Sequence, residues 1–217
     1  MRVVLVGGHG KIALLLAGLL SERGDEPVAL IRNPAHGAEV AAAGARAVLL
    51  DVENTDAGQL AAVLDGADAV VFAAGAGAGS GAARKYTVDR DGSVLAAGAA
   101  EAAGVRRFLQ ISSMGAGEPA PDGTDEVWRA YLDAKTQAED DLRGRDLDWT
   151  VLRPGRLTDD PATGAVTIGQ RVGRSDIPRA DVAAVLVALL DAPETAGATL
   201  EVVAGETPIA AAISALR

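Results

Sequence analysis

Tyr131 and Lys135 stand four residues apart in Val127-Trp128-Arg129-Ala130-Tyr131-Leu132-Asp133-Ala134-Lys135. On a helix that spacing puts both side chains on one face. A phenol exchanges protons poorly at neutral pH, and an ammonium beside it favours the phenolate, so the pair could pass a proton to or from a bound oxygen. Lysine is scarce: Lys11, Lys85 and Lys135 are the only three in the chain, which gives weight to finding one at this position.

A second group lies at the N-terminus, in Val3-Val4-Leu5-Val6-Gly7-Gly8-His9-Gly10-Lys11-Ile12-Ala13. The spacing is G-x-x-G-x-x-A, with a strand before it and a helix after it. Gly7 allows a sharp turn, Gly10 lets the backbone approach a pyrophosphate, and Ala13 lets helix and strand pack closely. The pyrophosphate of a dinucleotide would sit at the helix N-terminus among Gly7, Gly8, His9, Gly10, Lys11 and Ile12. The end of the next strand reads Ala29-Leu30-Ile31-Arg32-Asn33, where NAD-binding chains usually carry an acid. Arg32 would instead face a 2′-phosphate, so the expected cofactor is NADP(H), with NAD as the alternative. Asp51-Val52 would flank the adenine, and Ala73-Ala74-Gly75 would let the backbone pass close to a ribose.

These groups need a scaffold that brings strand ends together. Short β-branched runs at residues 3–6, 28–31, 47–50, 69–73, 107–111 and 150–152 alternate with helical stretches at 11–23, 34–43, 56–64, 82–103 and 124–143. That is the pattern of βαβ crossovers around a parallel sheet. Beyond Arg153 the alternation weakens, leaving a helix at 179–190 and a strand at 199–203. The expected architecture is an α/β doubly wound parallel sheet, a Rossmann fold. It would form one domain over 1–217, with a cofactor part at about 1–157 and a small substrate-side region at about 158–217.

The G-x-x-G-x-x-A loop, Ser112-Ser113 closing the fifth strand and Y-x-x-x-K on the next helix together resemble the short-chain dehydrogenase/reductase superfamily. The small size resembles its atypical NAD(P)-binding members of the epimerase/dehydratase kind. The likeness spans Met1 to about Leu157. It implies Tyr131 as general acid/base, Lys135 also holding the nicotinamide ribose, Ser113 orienting the substrate oxygen and Ser112 beside the cofactor. It further implies that Pro154-Gly155 pass the nicotinamide. One departure is Asp89 in Asp89-Arg90-Asp91-Gly92-Ser93, where extended members carry an asparagine. The carboxylate either alters the proton relay or marks its absence, or Asp89 is an ordinary polar residue of a long helix. Arg179-Ala180-Asp181 reads as a charge pair at a helix start.

Composition narrows the rest. Thirty acidic against twenty basic residues give a net charge of −10 with no basic cluster, which disfavours nucleic acid. Without cysteine, disulfides and thiolate chemistry are excluded. Asp residues without His or Cys partners point to no metal, His9 and His36 sit in loops, and the longest apolar stretches are about half a membrane span. A cytoplasmic protein with a small-molecule substrate is expected, homo-oligomer formation being left open. The leading function is an NADP(H)-dependent oxidoreductase of a small carbonyl or alcohol. A non-catalytic NADP(H) sensor resembling NmrA-like regulators and a flavin or quinone reductase are the alternatives. Sugar-nucleotide epimerases of the superfamily have a much larger C-terminal lobe, so that activity is not expected.

Overall fold

The computed structural model describes residues 1–77 and 79–216. The chain runs β1 (Arg2–Val6), α1 (Lys11–Glu22), β2 (Glu26–Ile31), α2 (Gly37–Ala42), β3 (Arg46–Leu49), α3 (Ala57–Leu64), β4 (Ala69–Phe72), α4 (Ala82–Arg84), α5 (Gly92–Ala102), β5 (Arg107–Ile111), α6 (Glu126–Arg143) and β6 (Asp148–Pro154). It continues through β7 (Arg156–Thr158), β8 (Ala165–Gly169), β9 (Asp176–Pro178), α7 (Arg179–Leu190), β10 (Ala198–Ala204), β11 (Thr207–Pro208) and α8 (Ile209–Ser214). A nine-stranded sheet has the order β11-β8-β10-β6-β5-β4-β1-β2-β3. From β10 to β3 every pairing is parallel, as the alternation of runs predicts.

The strands from β1 run outward to β3 on one side and from β4 to β6 on the other, so the order reverses between β1 and β4. Ligands of such sheets bind beyond the strand C-termini at this reversal. Burial on both faces explains the apolar runs of β1, β2 and β4, whereas the edge strand β3 is largely exposed. Val3 and Leu5 join the core under α1 and α7, whereas Val4 and Val6 join the core under α3 and α5. α1 buries Ile12, Ala13, Leu16, Ala17 and Leu20, the spacing of one helical face.

The C-terminal part differs from the sequence expectation. β8 lies antiparallel against β10 and β11, and β7 pairs with β9 in a separate two-stranded sheet. Strands of two to five residues next to Gly/Asp/Pro-rich loops carry too few alternations to be read from periodicity. The helix expected over 82–103 is also interrupted: Lys85–Asp91 is a π-helical segment between α4 and α5. Asp181 is not half of a charge pair with Arg179. It is buried and accepts the backbone N–H groups of Thr163 and Gly164, at 3.0 and 2.9 Å, while Arg179 pairs with Asp159.

Candidate functional site

Beyond the C-termini of β1, β2 and β4 lies a cleft of about 300 Å³, lined among others by Gly7, Gly10, Arg32, Asp51, Val52, Ala73, Ala74 and Gly75. Gly7 has φ +82°, and a Cβ there would stand 2.5 Å from the Cα of Ala74. α1 begins at Gly10 without a side-chain cap, so the helix N-terminus is left to a ligand. The walls, the bare helix end and the glycine turn fit a dinucleotide pyrophosphate. Arg32 is 56% exposed on its side chain and 3.5 Å from Glu53. Glu53 is already held by Arg84 and Thr87, and the Arg84 hydrogen bond keeps its carboxyl below the usual carboxylate range. Arg32 is therefore loosely tethered.

His9 and His36, read as loop residues, stack on each other at the cleft edge with ring centroids 3.5 Å apart. His9 also meets Glu39 at 2.7 Å. Three loop residues expected at the pyrophosphate turn elsewhere. Gly8 gives its N–H to Leu30 at 2.9 Å and packs so closely on Ala29 that a Cβ would overlap it. Ile12 enters the core, and the Lys11 ammonium pairs with Asp159 at 2.5 Å.

Deeper in, α6 presents Tyr131 and Lys135 on one face. The Lys135 ammonium is buried, donates to the carbonyl of Ile111 at 3.1 Å, and lies 3.1 Å from Asp89 Oδ1. Asp89 is thus no ordinary polar residue of a helix: it is 0% exposed and its Oδ2 accepts the N–H of Ala76 at 3.0 Å. The ion pair lacks hydrogen-bond geometry, so among the described residues Oδ1 has no hydrogen-bond donor. Lys85, unnoticed in the sequence except as one of three lysines, comes from the π-helical segment. Its buried ammonium donates to the carbonyl of Gly77 at 2.8 Å. The Lys85 and Lys135 nitrogens stand 5.5 and 5.8 Å from the Tyr131 ring centroid.

A second cleft, of about 400 Å³, opens past the ends of β5 and β6 and holds Ser113, Met114, Trp128, Pro154, Gly155, Arg156, Arg174, Ser175 and Asp176. Trp128 tilts against Tyr131 with ring centroids 5.0 Å apart, linking this cleft to the lysine cluster. Gly155 is required by close approach, since a Cβ would overlap the carbonyl oxygen of Ser175. Ser113 faces this cleft, whereas Ser112 is buried and donates to Glu139 at 2.6 Å, away from either opening. Sequence reasoning missed Glu53, Arg84, Trp128 and Arg174. Glu53 and Arg84 carry opposite charges and come from separate segments of the chain, so no local signal marked them. Among the described residues no group of three or more His, Asp or Glu could hold a metal, and no helix is long and apolar enough to cross a membrane.

Residues 7–193 match the family described as NAD(P)H-binding. "Uncharacterized sugar epimerase YhfK" of Bacillus subtilis strain 168 is 35% identical over 217 residues, with both chains fully covered. A solved structure from Bacillus halodurans, named "Putative NAD-dependent epimerase/dehydratase", is 38% identical with a TM-score of 0.92 and covers 100% of both chains. The oxidoreductase ylbE from Lactococcus lactis is 28% identical with a TM-score of 0.87, covering 100% of this chain and 96% of its own. With the glycine turn at the sheet's reversal and a match along most of its length, the chain belongs to the NAD(P)H-binding family of Rossmann-fold proteins.

Proposed function

We propose that the protein is an NADP(H)-dependent oxidoreductase of a small carbonyl or alcohol, with residues 1–217 working as one unit. The observation that carries this reading is the meeting of Tyr131, Lys135 and the buried Asp89 between the two clefts. The first cleft would hold the adenosine and pyrophosphate through Gly7, Gly10 and the start of α1. Arg32 would meet the 2′-phosphate, Asp51 and Val52 the adenine edge, and Ala73, Ala74 and Gly75 the ribose. When bound, the reduced nicotinamide supplies a hydride to the substrate carbon. Tyr131 gives the substrate oxygen its proton and regains one from solvent, Ser113 orients that oxygen, and Lys135 holds the adjacent ribose. Asp89 fixes the Lys135 ammonium, and Pro154-Gly155 close the nicotinamide side.

The test is NADPH consumption against aldehydes, ketones, quinones and flavins, beside Tyr131→Phe. Turnover should fall by about 10² or more in the variant while NADPH affinity is retained, the usual scale for loss of a general acid. Equal rates would move the reading to a flavin or quinone reductase, and tight NADPH binding without turnover to a sensor. The name of the Bacillus subtilis relative favours a second reading, an epimerase that removes and returns the same hydride. Such an enzyme would interconvert sugar epimers with no net NADPH consumption.

A further inference from the structure

Among the described residues the second cleft carries one cation, Arg174, that makes no ion pair. Arg156 and Asp176, both on its wall, pair with each other. Arg174 is exposed and, among the described residues, makes neither an ion pair nor a hydrogen bond. The acids nearest its far side are already engaged: Glu118 pairs with Arg171, and Glu201 accepts the N–H of Val172 at 2.9 Å. Arg2, Arg46, Arg107 and Arg129 also lack an acid partner among the described residues, but none of them lines this cleft.

The Arg174 guanidinium lies over the loop after β5. Gly115, at φ +95°, follows Ser113-Met114 in the loop after β5, and a Cβ there would stand 3.2 Å from a guanidinium nitrogen of Arg174. The missing side chain thus gives the guanidinium its seat over that loop. On the same cleft wall Trp128 is 44% exposed, an indole face open on one side. A guanidinium offers paired N–H donors matched to carboxylate or phosphate oxygens, and an indole favours a planar or apolar body.

We infer that the second cleft binds a substrate carrying a carboxylate or phosphate group, held by Arg174, with a planar or apolar body against Trp128. This rests on the proposed function for which end of the ligand reacts, but binding itself does not need turnover. The probes are 4-phenyl-2-oxobutanoate, its ethyl ester and phenyl phosphate, titrated calorimetrically into the full chain with and without NADP⁺. Quenching of Trp128 fluorescence, absent in Trp128→Phe, locates the site.

The acid or the phosphate should bind about tenfold or more tightly than the ester, the scale of one charge-assisted pair. Whichever of the two binds more tightly names the group. Arg174→Leu should remove the preference and leave ester affinity unchanged, while Arg174→Lys should keep part of it. No preference for either anion over the ester, an unchanged preference in Arg174→Leu, or no binding of either anion would overturn the inference. An intact preference with no NADPH consumption would remove the reductase reading alone.

Discussion

Lys135 and Glu139 lie one turn apart on the same face of α6, both are buried, and each meets an opposite charge from another element. Their surroundings differ. Glu139 is saturated: Arg153 reaches it at 3.0 and 2.6 Å, Arg143 at 2.6 Å and Ser112 at 2.6 Å. The Lys135 ammonium has one carbonyl and one side of Asp89, whose Oδ1 has no donor among the described residues. A buried charge is tolerated when every lone pair is met, and an incompletely met one is retained where something else uses it. The saturated cluster ties α6 to β6, and the unsaturated one is buried behind the Gly75 wall of the first cleft. One helix face therefore holds a saturated and an unsaturated charge cluster a single turn apart.

The comparison breaks most sharply at Glu139. Glu139→Ala leaves Arg153 half-buried and unpaired, and should cost about 3–5 kcal/mol in urea unfolding, the usual loss on breaking a buried pair. If Asp89→Ala costs as much, the two clusters are equally structural and the contrast fails. Gly10→Val tests the opposite end of the scale. It should abolish stabilisation by NADPH in a thermal shift assay while the chain still folds, because a branched side chain would fill the space at the bare start of α1. Retained stabilisation would make the glycine loop a mere turn.

Asp89→Asn keeps the shape and removes the charge. A stability loss of about 1–2 kcal/mol is expected, smaller than at Glu139, with turnover lowered at least about tenfold. A loss of stability with turnover intact would assign Asp89 to the scaffold. The smallest effect falls on Arg32→Ala. NADPH binding should weaken by about tenfold with NADH nearly unaffected, measured by titration of both. Parallel losses would show that Arg32 serves some other contact.

What could be read in the sequence follows from how local each signal is. The central parallel strands β1, β2 and β4 announce themselves as apolar runs because both faces are buried, and Gly7 because its positive φ and its approach to Ala74 demand glycine. Tyr131 and Lys135 share a helix, so their spacing is enough. Lys85, Asp89 and Arg174 could not be placed in the same way. Asp89 meets Lys135 and Arg174 lies against Gly115 across tens of residues, Lys85 reaches the Gly77 carbonyl through a loop with no periodicity, and nothing in Arg174's flanking sequence shows that Gly115 makes room for it. Gly8 misled for a related reason: its glycine is needed for packing on Ala29, a contact with no trace in the loop's own spacing. The short strands β7, β8 and β9 owe their existence to partners across the chain rather than to a pattern of their own.

The π-helical segment Lys85–Asp91 sets one more constraint. Its wider turn aims Lys85, Val88 and Asp89 inward together, all three buried, while Thr87 stays exposed. Removing one residue between Lys85 and Asp89 would restore ordinary helical winding, draw them about 1.5 Å closer along the axis and change their angular offset. Either the Lys85 ammonium or the Asp89 carboxylate would then leave its place beside Lys135 and Tyr131. Related sequences should thus tolerate exchange at Thr87 more readily than any change in the length of this stretch, which works as a spacer whose count of residues matters as much as their kind.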